Sequence, residues 1–341
     1  MKKRMSILLA VLMLLSALPL QVDAEGSIDL HKKVSLAISY QDGDTPIVGA
    51  EFAVYQVASV DEYGKLTTME AFRQFRVDIR GENDEAWRTL ASTLEGYVLR
   101  DAISPACSGR TDSRGKLVLG NNEGDPAFSG NGSRQGPTEQ NNKLAQGLYL
   151  VLGSAHTQGN YIYTTEPFMV LLPALDKEAN GWVYEVTVSP KQSSRPVPEE
   201  PLDDTVARKV LKVWKDEGLE KERPREIIVQ LLQDGQVLDT VTLNAANNWR
   251  YTWEELKDYY HYTVVEKEPE NYLVTVTQEG ITFVVTNTYD GPNSPYTPGN
   301  LGNSTLPQTG QYWWPVPVLF AAGLLFVVFG LMRRRGAEDE K

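Results

Sequence analysis

One cysteine, Cys107, serves the whole 341-residue chain. An intrachain disulfide is therefore excluded, and whatever staples the fold must be of another kind. Cys107 sits in Ser104-Pro105-Ala106-Cys107-Ser108-Gly109 with no neighbour that reads as a base, so a surface or half-buried thiol is expected there, not a nucleophile. Histidine is nearly as scarce. His31, His156 and His261 are scattered without ligand spacing, and neither a metal site nor a cofactor is expected. Basic residues are also in deficit: 33 Lys and Arg face 45 Asp and Glu, a formal charge of −12, which disfavours nucleic acid as a partner. Gly130-Asn131-Gly132 is followed by no helical pattern and makes no phosphate cradle. A surface enzyme would need a cleft with paired acid and base residues. The chain shows no such constellation, and no enzymatic activity is expected.

Long apolar runs occur only at the two ends. Lys2, Lys3 and Arg4 precede Ile7 to Leu20, and Val22-Asp23-Ala24 offers suitable positions for cleavage, so residues 1–24 read as a signal peptide. Near the other end stand Leu306-Pro307-Gln308-Thr309-Gly310, then the aromatic Tyr312, Trp313 and Trp314, an apolar segment at 315–332, and Arg333, Arg334 and Arg335 opening a short tail at 333–341. With its aromatic edge the apolar segment rises about 30 Å as a helix, enough to span a bilayer. Pro307 fixes its own φ and biases Leu306 toward extended geometry, which suits presentation to a protease groove, and Gly310 leaves the following bond uncrowded. This order of motif, span, basic stop and tail resembles the cell-wall sorting signal of Gram-positive surface proteins. The resemblance implies that a sortase cysteine attacks the carbonyl of Thr309, releases Gly310 onward and passes the acyl group to an amine. Sortase and peptidoglycan are then partners, and the membrane holds only the precursor. Trimming to residues 25–309 removes seven Lys or Arg against four Asp or Glu and takes the formal charge from −12 to −15.

The trimmed length suggests two domains. An N-terminal domain at 25–192 is expected before a Pro-rich linker at 193–204, with a second domain at 205–289 and a Pro-, Asn- and Gly-rich spacer at 290–305. Strand patterns dominate both: 34–40, 51–57, 147–152, 168–172 and 182–188 in the first, and 227–233, 237–243, 272–277 and 281–288 in the second. Asp234-Gly235 marks a hairpin, and Gln278-Glu279-Gly280 another connection. Trp87, Leu90, Ala91, Leu94 and Val98 recur at helical spacing, predicting one amphipathic helix, and Gly120 to Gln146 reads as a long loop. The fold class expected is all-β, two tandem antiparallel sandwiches with a helix added to the first.

Three polar residues of the second domain fall on apolar faces. Residues two apart in a strand share a face, so Asn287 lies with Ile281, Phe283 and Val285, Glu266 with Tyr262 and Val264, and Lys212 with Val210 and Trp214. Each would be costly inside a small core if left unpaired.

Lys212-Val213-Trp214, Trp249-Arg250-Tyr251-Thr252, the run from Tyr262-Thr263-Val264-Val265-Glu266 through Pro269 to Tyr272, and Thr286-Asn287 follow one another over about 85 residues in the pattern of collagen-binding-protein B-type domains, which this region resembles. These are the prealbumin-like modules of Gram-positive adhesins and pilins. Tyr262 to Tyr272 is similar to the E-box of pilins, departing from it at Lys267-Glu268 and at Glu270-Asn271. The resemblance implies that Lys212 and Asn287 join in an isopeptide bond, with Glu266 as proton shuttle. Burial supplies the physics: a desolvated lysine loses its proton and a desolvated carboxylic acid keeps one. The alternative for the same residues is a core ion pair between Lys212 and Glu266 with Asn287 hydrogen-bonded nearby.

Trp182 to Lys191, with alternating valines and Pro190 before the lysine, resembles the pilin motif whose lysine accepts the sortase-bound threonine of the next subunit, with Ser189 and Gln192 in place of the usual Tyr and Asn. It implies an intersubunit link from Thr309 to Lys191 of a neighbour, with Lys177 and Lys209 as rival acceptors and a solvated linker lysine as the plain alternative. The first domain is similar to N-terminal pilin domains at Gly49-Ala50-Glu51-Phe52 and Gly147-Leu148-Tyr149-Leu150. It lacks the E-box Glu and a terminal Asn, so no crosslink is expected there. The expected protein is a covalently polymerised pilus subunit whose partners are sortase, neighbouring subunits and peptidoglycan. A minor pilin or a monomeric wall-anchored adhesin binding a host surface ligand is the alternative.

Overall fold

The computed structural model describes residues 26–81, 83–120, 143–176, 181–197, 204–267 and 270–292. The expected signal peptide, sorting motif at 306–310, membrane span at 315–332 and tail, together with Lys177, Pro269 and most of the expected loop at 120–146, lie outside the described residues. Among those described, no helix is long and apolar enough to cross a membrane.

The first domain contains β1 (Ser35–Ser39), β2 (Gln41–Asp42), β3 (Thr45–Pro46), β4 (Glu51–Val60), β5 (Leu66–Thr68), α1 (Asp84–Arg100), β6 (Cys107–Arg110), β7 (Lys116–Gly120) and β8 (Gly147–Gly153). Then come β9 (His156–Gln158), β10 (Tyr161–Thr165), β11 (Phe168–Leu172), β12 (Ala174–Asp176), β13 (Gly181–Val183), β14 (Glu185–Val188) and β15 (Gln192–Pro196). The main sheet runs β11-β8-β4-β5, with β6 also on β4, and a second sheet runs β14-β1-β7. Between them pack Leu36, Ile38, Phe52, Val54, Leu119, Tyr149 and Val151. The strand expected at 182–188 breaks at Tyr184: β13 pairs with β12, whereas β14 pairs with β1 in parallel.

The expected linker is shorter than its composition implies. Gln192 to Pro196 pair with β10 as β15, with Pro196 as the last residue of an outer strand, where a missing N–H is tolerated. Cys107 also departs from expectation. Its strand pairs Cys107 with Val54, which turns the thiol into the core beside Tyr149; it is buried, and burial pushes the thiol pKa up to about 11.

The second domain is a sandwich of two sheets built from β16 (Thr205–Lys215), β17 (Glu226–Gln233), β18 (Gln236–Asn244), β19 (Arg250–Lys257), β20 (Tyr262–Glu266), β21 (Tyr272–Glu279) and β22 (Thr282–Tyr289). One sheet has the order β19-β16-β22-β21 and the other β18-β17-β20. Asp234 and Gly235 take positive φ, 48° and 81°, the conformation that a two-residue hairpin requires of both. Val210, Val229, Leu231, Leu243, Val274 and Val285 fill the interior.

Helix α1 begins at Asn83, whose side chain accepts the N–H of Ala86, and carries Asp84 and Glu85 in its first turn and Arg100 in its last, the arrangement favoured by the helix dipole. One face packs on its own domain. The other meets the second domain: Leu232 and Val265 lie in the same apolar cluster as Leu90, Leu94, Tyr97 and Val98.

Candidate crosslinking site

Lys212, Glu266 and Asn287 reach one point from three strands. β16 and β22 run parallel and adjacent, with Lys212 beside Val285 and Trp214 beside Asn287. Their inward positions therefore carry Val210, Lys212 and Trp214 next to Phe283, Val285 and Asn287. Glu266 comes from the facing sheet, at the end of β20 and opposite Val229 of β17. Ile281, expected on the face of Asn287, lies just outside β22 and is 40% exposed.

The site is dry. The side chains of Lys212 and Glu266 have no exposed surface, and Asn287 has none either. The Lys212 Nζ donates to Glu266 Oε2 at 3.0 Å, and Asn287 Nδ2 donates to Glu266 Oε1 at 2.9 Å. One carboxyl group thus bridges amine and amide. Asn287 Oδ1 is buried without a hydrogen-bond partner, an unfavourable state for a carbonyl oxygen. Desolvation brings the Lys212 pKa down to about 8, against the pull of the Glu266 and Asp216 carboxyl groups. Nζ also lies 4.6 Å from the centre of the Trp214 ring.

An aromatic wall closes one end. Trp214 meets Trp249 and Tyr272 edge-to-face at 5.2 and 5.1 Å between ring centres. Behind it, Asp216 accepts two hydrogen bonds from Arg223 and one from the Tyr272 hydroxyl. The Arg223 guanidinium lowers the Asp216 pKa, and burial beside that carboxylate raises the pKa of Tyr272. Asp216 and Arg223 were not anticipated, and Tyr272 was anticipated only as part of the E-box-like run. The available signal was Asp216, which continues the alternate positions 210, 212 and 214.

Lys191 stands exposed between β14 and β15, and its rival Lys209 is exposed on β16. In the first domain the buried polar side chains are Ser35, Thr93 and Thr111, with no buried lysine among the described residues. Nor, among those residues, is there a cluster of His, Cys, Asp or Glu able to hold a metal.

A family model for the Cna protein B-type domain matches residues 208–288, the span that contains all three site residues. Among solved structures, the chain is similar to a single B repeat unit (B1) of the collagen-binding surface protein Cna of Staphylococcus aureus, at 16% identity over 76% of this chain and 99% of that one, with a TM-score of 0.25. It is similar to a mutant of the shaft pilin SpaA from Lactobacillus rhamnosus GG at 15% identity, over 76% and 100% of the two chains, with a TM-score of 0.25. The full-length major pilin SpaD from Corynebacterium diphtheriae has 15% identity and a TM-score of 0.29, over 76% of this chain and 65% of that one. No curated protein matches the chain.

Proposed function

We propose that this chain is a structural subunit of a covalently built Gram-positive pilus, stabilised by an amide bond between Lys212 and Asn287. The observation that carries the reading is the bridging of a buried amine and a buried amide by the Glu266 carboxyl group, at 3.0 and 2.9 Å.

The chemistry follows from the arrangement. Lys212 passes a proton to Glu266 and becomes a neutral amine, which its dry surroundings favour. Nζ then attacks Cγ of Asn287, forming the Nζ–Cγ bond, and the carbonyl oxygen takes up the negative charge. Glu266 delivers that proton to Nδ2, the carbonyl re-forms as the Cγ–Nδ2 bond breaks and ammonia leaves, and the Glu266 carboxylate takes the remaining excess proton from Nζ. Amine and amide together yield one secondary amide and one ammonia. Holding the partners in contact supplies effective molarities on the order of 10⁵ to 10⁸ M, sufficient for a single slow turnover without an enzyme.

The remaining parts of the reading extend the same bond type between molecules. The 306–310 motif supplies the Thr309 acyl group to sortase, Lys191 of a neighbour accepts it, and the last subunit is transferred to peptidoglycan. The exposure of Lys191 supports its role as acceptor. Intact-mass measurement of the chain from residue 25 to Thr309 is the test. The expected result is a mass about 17 Da below the sequence value, the loss of one ammonia. A mass equal to the sequence value would leave the buried ion pair as the correct account.

A further inference from the structure

We infer that the crosslinking site of the second domain is completed by the first: α1 seals the open side of the sandwich over Glu266, so that the amide forms only after the two domains have docked. The inference rests on the crosslink reading above.

β20 and β21 are outer strands of their respective sheets, and both flank the same side of the sandwich. Glu266, on β20, must reach across this side to strands of the opposite sheet, so the seam between β20 and β21 is a direct route for water to the carboxyl group. An outer strand should bury only alternate residues, yet all five of β20, Tyr262 to Glu266, are buried. Both outward residues, Thr263 and Val265, are buried, and Val265 belongs to the apolar cluster of α1.

The contacts are specific. On β21, the outward N–H of Val276 donates to Thr93 Oγ1 at 2.8 Å, and that of Val274 donates to the Arg76 carbonyl at 2.7 Å. On β20, the Tyr97 hydroxyl donates to the Glu266 carbonyl at 3.4 Å. Gly96 sits where helix and strand meet: a Cβ there would lie 2.7 Å from Val265 Cγ2 and 3.1 Å from the Val264 carbonyl oxygen. Glycine weakens a helix interior relative to alanine, and here it permits the close approach. Thr93, Gly96 and Tyr97 are thus positioning residues that act by drying the strand carrying the proton shuttle.

The test uses the full-length chain, digested after synthesis, with the branched peptide joining Lys212 to Asn287 quantified over time by mass spectrometry. Gly96→Leu should drive α1 off β20 and slow formation of the branched peptide at least tenfold, while hydrogen exchange shows residues 204–292 still folded. The paired Gly96→Ala, Val265→Ala control, which adds a methyl to the helix and removes the one it would strike, should restore the rate. Formation at the wild-type rate in an undocked Gly96→Leu chain overturns the inference and leaves the crosslink reading intact. Absence of the branched peptide from wild-type chain overturns the crosslink reading itself. Should Gly96→Leu unfold the second domain, Thr93→Val decides: a rate reduced several-fold supports the inference, and an unchanged rate refutes it.

Discussion

Replacing all three site residues by apolar ones, Lys212→Met, Glu266→Leu and Asn287→Leu, separates a covalent bond from a buried ion pair. A salt bridge exchanged for apolar groups of similar volume is often neutral or stabilising by about 1 to 4 kcal/mol, because two desolvated charges disappear together. A covalent link behaves differently. Lys212 and Asn287 bracket a loop of 75 residues, and treated like a disulfide such a closure removes about 4.5 kcal/mol of chain entropy from the unfolded state. Losing it should lower the melting temperature of an 85-residue domain by about 20 to 35 °C, since each kcal/mol shifts Tm by about 4 to 8 °C at this size. Differential scanning calorimetry of wild type and triple variant, with intact mass measured on both, provides the comparison. A triple variant as stable as wild type, or more so, would refute the covalent reasoning.

Other expectations concern separate links in the chain of argument. In Asn287→Ala, which keeps the amine and removes its target, the Lys212 pKa near 8 lies below the ordinary value of 10.5, so the folded state binds fewer protons than the unfolded one; unfolding free energy should rise as pH increases from about 8 to 10.5, and a flat urea-denaturation profile over that window would contradict the desolvated amine. Boiled gels of wall extracts should show high-molecular-weight ladders that Lys191→Ala abolishes, and ladders that persist in the variant would move the acceptor to Lys209 or Lys177. Thr309→Ala should leave the chain in the membrane fraction, so release to the wall at the wild-type level would exclude the sorting motif. Thr93→Val leaves the Val276 N–H without its partner and should cost about 1 to 3 kcal/mol, measured by chemical denaturation.

The second domain was largely legible because its strands follow period-two alternation and its first hairpin carries Asp234-Gly235. The same alternation brought out Lys212, Glu266 and Asn287, since a polar residue in an apolar series marks a buried group before any coordinates exist. In the first domain the long strands and α1 were readable. The short strands β9, β10 and β15 were not; in β15, Ser193, Ser194 and Pro196 read as linker by composition and only the partner strand makes them a sheet. The second face of α1 escaped for a related reason. Helical spacing picked out Trp87, Leu90, Ala91, Leu94 and Val98, whereas Thr93 and Gly96 become interface residues only because another domain presses on them, a property that local periodicity does not encode.

If Lys191 is the acceptor, as proposed, its position between β14 and β15 fixes which parts of the molecule a pull would load. With force entering at that side chain and leaving through Thr309, the covalent route runs along β15 and into β16, and everything before residue 191 hangs beside it as a passenger. Within the second domain the route enters on β16 and leaves on β22, parallel neighbours that shear together over paired residues from Lys209 to Lys215 instead of unzipping one rung at a time. Apart from β15, the first domain lies outside that route and needs no staple of its own, which accords with the lack of a buried lysine among its described residues.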